Sequence, residues 1–376
     1  MYGKQSLQDL VFLMIYGGTG MLALAAGIYL WLRRSNAIAP NINPPKALRR
    51  WTAAFFIVAA LSHMWWYVLG VYWLTDDRLI RDITAVTLDH ITLVPLVMAM
   101  LLHLLQDRQR KLWPWVLAQM PIVVFAAIGI VKHSEFYGFG ITTYWQLSVM
   151  SIFVVYYIYA LVQYGRWLHE NYADLEHKEI WQSLLFAVVL FAVYENYFTN
   201  PGEMAREYLA QIMTLAIIAF LLWRVETLQE LDARETEADA EENNTMEGSV
   251  KNPEPAVGIQ ANIGALLQKN CVTPQLYLQH DLTLQQLATA IGTNRTYLSA
   301  YFAQQSITYN AYINRLRIEH FIHLYRQAIA DSCPCTAQDL AQQSGFSSYS
   351  TFSAAFKRFM NLSVASWMKT EEEKEA

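Results

Sequence analysis

Apolar residues in the first 225 positions run in blocks rather than in the three-and-four spacing of a surface helix or the alternation of a half-buried strand. Seven blocks reach the roughly 20 residues that a helix needs to cross a bilayer core, where no backbone polar group can be left unpaired. They run Leu7 to Leu32, Thr52 to Leu74, Ile83 to Leu105, Trp113 to Val131, Tyr144 to Tyr164, Ile180 to Phe198 and Tyr208 to Val225. Trp31, Trp51, Trp73, Trp113, Trp115, Tyr144 and Trp145 stand at block ends, where amphipathic rings suit headgroup depth. After Arg224 the chain turns acidic. Residues 226–242 read as a helical stalk extending the last block, with Val225, Leu228 and Leu231 as a short apolar seam. Asn243 to Gly258 read as a flexible linker. From about Ile259 to Thr370 the pattern is one of short helices with frequent caps, followed by an acidic tail at 371–376.

The expected fold is therefore all-α, with a seven-helix transmembrane bundle at 1–225 and a stalk and linker at 226–258. A capped helical domain follows at 259–370. Composition agrees: 54% of residues are hydrophobic and only 16% charged, too apolar a balance for a wholly soluble enzyme. The first block exceeds the length of a signal-peptide core and has more cations after it, Arg33 and Arg34, than before it, Lys4; it is expected to remain as a span. Counting Lys and Arg in alternate connections gives ten on one side and five on the other. By the positive-inside rule the first set is cytoplasmic, which puts the N-terminus outside and the C-terminal domain in the cytoplasm.

Within that domain the net charge of −5 of the whole chain gives way to eight basic residues against four acidic ones. The informative feature is an internal duplication. Leu287-Ala288 is followed four residues on by Gly292, and Leu340-Ala341 likewise by Gly345, each member 53 residues from its copy. A second helix comes next in each unit, Asn294 to Gln304 and Ser348 to Met360. Alanine lets the two helices of a unit cross closely, and glycine takes the positive φ of the tight turn between them. Leu298 with Phe302, and Phe352 with Phe356, anchor one face of each second helix. The opposite faces carry Arg295, Thr296, Ser299 and Ala300 in one unit and Tyr349, Ser350, Ser353 and Ala354 in the other, with Lys357 and Arg358 at the second helix end. Each face fits a DNA major groove of about 12 Å. A long amphipathic helix, Thr308 to Gln327, joins the two helix-turn-helix units, and a spacing of about one DNA turn would let one chain read two successive groove segments.

These residues resemble the DNA-binding domain of AraC/XylS-type transcriptional regulators. The resemblance is carried by Leu282 to Ala288, Asn294 to Ser299, Tyr312 to Glu319, Gly345 to Ser348 and Thr351 to Lys357, and extends from about Ile263 to Met368. It implies double-stranded DNA as partner and base-reading positions on the two faces just named. Where the family usually has glycine after each recognition helix, this chain has Ser306 and Asn361, and left-handed geometry suits Asn better than Ser.

In that family a sensory domain accompanies the DNA-binding one; here the seven blocks take its place. Ionisable residues inside spans are costly and are candidates for function. Asp89 and His90, with Glu195, Asn196 and His63, form a candidate signal pocket, and the neighbouring acid and imidazole groups suit a response to pH. No catalytic residues, cofactor or metal are expected: Cys333 and Cys335 supply two soft ligands where zinc needs about four. The expected function is a membrane-anchored, one-component bacterial regulator in the inner membrane, a homodimer being one option, responding to a small-molecule or membrane signal. The alternatives are a sensor whose C-terminal domain docks a protein, and a transporter or intramembrane enzyme using Asp89, His90 and Glu195.

Overall fold

The computed structural model describes residues 7–40, 42–70, 75–175, 178, 188–189, 204–231, 263–331 and 335–375. It is all-helical, with no strand among the described residues. The chain divides into two compact units, Met1–Val162 with Ile180–Thr236, and Gln163–Glu179 with Glu237–Ala376.

The first unit is built from α1 (Leu7–Leu32), α2 (Lys46–Gly70), α3 (Arg78–Leu104), α4 (Trp113–Leu117), α5 (Met120–Val131), most of α6 (Ile141–Asn171) and α7 (Met204–Thr227). α1 packs along α2, α2 along α3, and α7 against α1 and α2. Pro114 and Pro121 sit in the first turns of α4 and α5, where the missing N–H does no harm, and the fourth apolar block is therefore two helices in series. Asp77 caps α3 by accepting from the N–H groups of Leu79 and Ile80. Five helical stretches among the described residues are long and apolar enough to cross a membrane: Leu10–Leu32, Arg78–Leu104, Trp113–Val131, Phe136–Asn171 and Glu207–Thr227. The second block corresponds to α2, whose described part ends at Gly70, and the sixth, Ile180–Phe198, lies outside the described residues except at 188–189.

The apolar surface of this unit faces outward as much as inward. Met14, Val131 and Val155 are 77%, 85% and 69% exposed, while Phe56, Met98, Phe153 and Tyr157 are buried.

At the end of α7 the structure departs from the helical stalk expected after Val225. The helix stops at Thr227, and 228–231 continue without helical geometry. Val225, Leu228 and Leu231 are buried. Glu226 explains the anchoring. It pairs with buried Arg49 at 3.4 Å and accepts from the hydroxyl of Tyr29 and the N–H groups of Ala37 and Ile38. Arg49 in turn donates to the carbonyl of Leu30 and to Asn36 Oδ1. Farther on, Glu230 N–H donates to Asn43 O at 2.8 Å and Leu231 N–H to Gln106 Oε1 at 2.9 Å. The remainder of the expected stalk and linker, 232–258, lies outside the described residues.

In the second unit, the C-terminal domain begins with a helical turn at 263–272 and continues with α8 (Leu284–Ile291), α9 (Arg295–Gln304), α10 (Tyr309–Ala330), α11 (Ala337–Gln343), α12 (Tyr349–Met360) and α13 (Val364–Glu375). Each start is fixed by a side-chain cap: Thr283, Asn294, Thr308, Thr336 and Ser348 each accept from an N–H in the first turn of the helix that follows, and Thr283 with Gln286 forms a reciprocal capping box. Gly292 and Gly345 adopt φ of 74° and 88°, as the turn between paired helices requires. Ser306 and Asn361 also sit in the left-handed region, both at 56°, so the turn geometry persists where glycine is replaced. Two separate hydrophobic cores result. Leu287, Ala288, Leu298 and Phe302 fill one with Tyr309 and Ile313 from the start of α10; Leu340, Ala341, Phe352 and Phe356 fill the other with Ile318, Phe321 and Tyr325 from its end.

The acidic residues expected as a tail at 371–376 continue α13, which runs through Glu375. Glu371 is buried against Arg326 at 3.0 Å, and Glu372 accepts from the Tyr325 hydroxyl. The helical spacing of these acids from apolar Val364 and Trp367 gives the segment a face that the bare charge run hides.

Candidate functional site

The faces opposite the two core stripes present the expected reading residues. On α9, Thr296 and Ala300 are exposed and Arg295 and Ser299 half-buried; on α12, Tyr349, Ser350 and Ala354 are exposed and Ser353 half-buried. Lys357 and Arg358 are exposed on the last turns of α12. Other charges counted in the basic excess are paired within the domain: Arg315 with Glu319 at 2.9 Å and Arg326 with Glu371. Arg317 departs most clearly from the solvated charge that its sequence position suggests, because it is 1% exposed. Its guanidinium donates to the carbonyls of Tyr277, Gln279 and His280 at 2.6–2.9 Å and lies over the ring of Phe346. Burial lowers its pKa from the ordinary value, yet three carbonyls and a ring face hold the charge. Arg317 thereby joins the first helix-turn-helix unit to the second, as does His280, whose Nδ1–H donates to Gly345 O at 3.1 Å.

Asn171, the last residue of α6, and the described residues that follow it, 172–175 and 178, belong to the same compact unit as this domain. Ala173 is buried in the first core, Asn310 Nδ2 donates to the carbonyls of Tyr172 (3.2 Å) and Ala173 (2.7 Å), and Tyr172 pairs with Thr283 in an isolated antiparallel bridge. Lys178 Nζ stands 3.2 Å from Asp281 Oδ1. Two contacts fall at the starts of the second helices of the two helix-turn-helix units. Arg295 Nε donates to Asn171 Oδ1 at 2.9 Å at the first residue of α9, and the Ser347 hydroxyl donates to Asp174 just ahead of α12. No motif in the sequence marks these residues. Only the basic count touches the loop, through Lys178, and that lysine is buried rather than lining a headgroup surface.

In the first unit the structure brings His63, Asp89 and His90 together on one cavity of about 230 Å³ between α1, α2, α3, α6 and α7. Glu195 and Asn196, the other two members of the expected pocket, lie outside the described residues. Asp89 accepts three hydrogen bonds, from Ser62 Oγ (2.7 Å), Trp65 Nε1 (3.1 Å) and Trp66 Nε1 (2.6 Å). The Nδ1–H groups of His63 and His90 donate to the carbonyls of Ala59 and Val86, and His63 Nε2 stands 3.4 Å from Gln211 Oε1. Tyr16, Trp66 and Gln211 also line the space; as uncharged side chains within apolar blocks they carry no mark in the sequence.

Of the cysteines, Cys271 is buried in the first core and burial pushes its thiol up to about 11, so it stays protonated at neutral pH. Cys333 lies outside the described residues.

Compared with known proteins, residues 287–370 match a family model described as a helix-turn-helix domain. Neither the curated proteins nor the solved structures gave a match.

Proposed function

From the AraC-type helix-turn-helix domain at residues 287–370, which makes this chain a DNA-binding transcription regulator, we propose a membrane-anchored one-component regulator that couples a membrane or exterior signal to DNA binding. The observation that carries the coupling is the hold of residues 171–178 on Arg295 and Ser347, at the starts of both reading helices. In helix-turn-helix complexes the N-terminal residues of the recognition helix meet the base edges. A base pair and the 171–178 segment therefore compete for Arg295.

Anchoring is supported by five helices of membrane length among the described residues and by the outward apolar surface, which in water would be an unusually large exposed patch. α6, with 31 residues, measures ~46 Å at 1.5 Å per residue against a hydrocarbon core of ~30 Å. Its last turns therefore extend beyond the bilayer and deliver 171–178 to the aqueous side. The asymmetry of Lys and Arg makes that side the cytoplasm of a bacterial inner membrane, with the N-terminus outside. The contacts of Asn43 and Gln106 with 229–231 support this arrangement, since they bring two loops of the basic set to the exit of α7. A signal acts by favouring one of two states of the helices that position this segment; binding that favours neither state shifts nothing.

In this reading Arg295, Thr296, Ser299, Ala300, Tyr349, Ser350, Ser353 and Ala354 face bases, and Lys357 and Arg358 meet phosphates. The full chain in lipid nanodiscs, titrated with duplex DNA from its own upstream region, tests it. Binding is expected to fall steeply with salt. Lys357→Ala with Arg358→Ala is expected to reduce the salt slope by about 2, near one counterion for each phosphate no longer neutralised. Binding absent, or indifferent to salt, contradicts the proposal.

A further inference from the structure

The cavity in the first unit has a chemistry that selects its occupant. None of the described residues lining it is Lys or Arg, and its formal charge comes from Asp89. The rest of the wall is largely aliphatic and aromatic, with Tyr16, Phe55, Phe56 and Trp66 among the rings. Three donors meet Asp89 from one side, two of them indole N–H groups that can only donate, so they treat the side chain as an acceptor. Both imidazoles turn their Nδ1–H groups to backbone carbonyls. A carboxylate held this way is met by three neutral donors, and the basic side chains on the described wall are the imidazoles of His63 and His90 rather than a lysine or arginine. An apolar, ring-lined space beside one such acid favours a positive charge borne on an apolar body, because ring faces attract cations and a dry wall favours the body.

We infer that this cavity binds an organic ammonium ion with an apolar body, either a free amine or the headgroup of a lipid. An anionic ligand would meet Asp89 with like charge, and a neutral hydrocarbon would make no use of it. The inference deepens the sensory reading above but does not depend on DNA binding.

The test uses the full chain in phosphatidylglycerol nanodiscs and equilibrium dialysis of benzyltrimethylammonium, against its neutral isostere neopentylbenzene, with empty nanodiscs subtracted. The cation is expected to bind saturably and at least about tenfold more tightly than the isostere. Asp89→Asn is expected to remove that preference. Val97→Phe, which fills the cavity, is expected to weaken both ligands. Phosphatidylcholine mixed into the nanodiscs lowers the apparent affinity if a lipid headgroup is the natural occupant and leaves it unchanged if a free amine is; either result supports the site. Equal affinity for cation and isostere in the unaltered chain overturns the inference, and that comparison needs no variant to fold. A folded Asp89→Asn chain that keeps the full preference overturns it too. Cation binding combined with an absence of salt-dependent DNA binding would sink the regulator reading and leave the site standing.

Discussion

Gly292 and Gly345 occupy matching places in the two copies of the repeat, yet they carry different loads. Both have positive φ, which costs a residue with a Cβ about 1–2 kcal/mol. Around Gly292 a Cβ meets nothing within 4 Å, whereas at Gly345 it would stand 2.8 Å from the backbone of Leu278. Alanine at position 292 is therefore expected to cost about 1 kcal/mol and at 345 clearly more than ~2 kcal/mol, read from hydrogen exchange of the turn amides in the full chain; equal costs would contradict the packing described. The glycines and the apolar anchors are legible in the sequence because their constraints are local, set by spacing along one helix. Arg317 is not, because its partners are the carbonyls of Tyr277, Gln279 and His280, some forty residues away, and a charge on an amphipathic helix reads as solvated. Arg317→Met is expected to leave three carbonyls without a donor and to destabilise the domain by at least about 3 kcal/mol. Arg317→Lys restores charge but not the fork of donors and is expected to recover only part, as a denaturant midpoint would show.

At the scale of elements, the helices of the C-terminal domain follow the sequence closely, since each is announced by a capping Thr, Asn or Ser and a stripe of apolar residues. The elements outside that domain follow it less closely. The charge pattern predicts a stalk continuing α7, but the helix stops at Thr227, because Glu226 is drawn to Arg49 and the next residues are held by Asn43 and Gln106. Residues 171–178 look like an ordinary loop in the sequence, for nothing local records that Ala173 enters a core formed a hundred residues later. Their role can be tested by locking them. In a chain bearing Asp174→Cys and Ser347→Cys, oxidation is expected to weaken DNA binding at least about tenfold, with recovery on reduction. Unchanged affinity in the locked form would mean that the segment is scaffolding and that the coupling lies elsewhere. Chains carrying Asp174→Cys or Ser347→Cys alone, kept reduced, control for removal of the Ser347 hydroxyl.

For the whole molecule, composition and patterning make plain that one chain carries two kinds of surface, one apolar on its outside and one capped, charged and soluble. The candidate pocket is legible in part: Asp89, His90 and His63 stand out as costly polar groups within apolar blocks, while Tyr16, Ser62 and Trp66 acquire meaning only when folding sets them around the same space. Both surfaces belong, in the function proposed, to one machine, a regulator that reads DNA while anchored in the membrane. Crosslinking the full-length chain to the chromosome in cells, with recovery from the membrane fraction, tests this most directly. Discrete bound sites are predicted, abolished when Arg295 and Tyr349 are changed to alanine, with the chain still in the membrane. Crosslinks spread evenly along the chromosome, discrete sites that survive those substitutions, or recovery of the bound chain from the soluble fraction alone would contradict it.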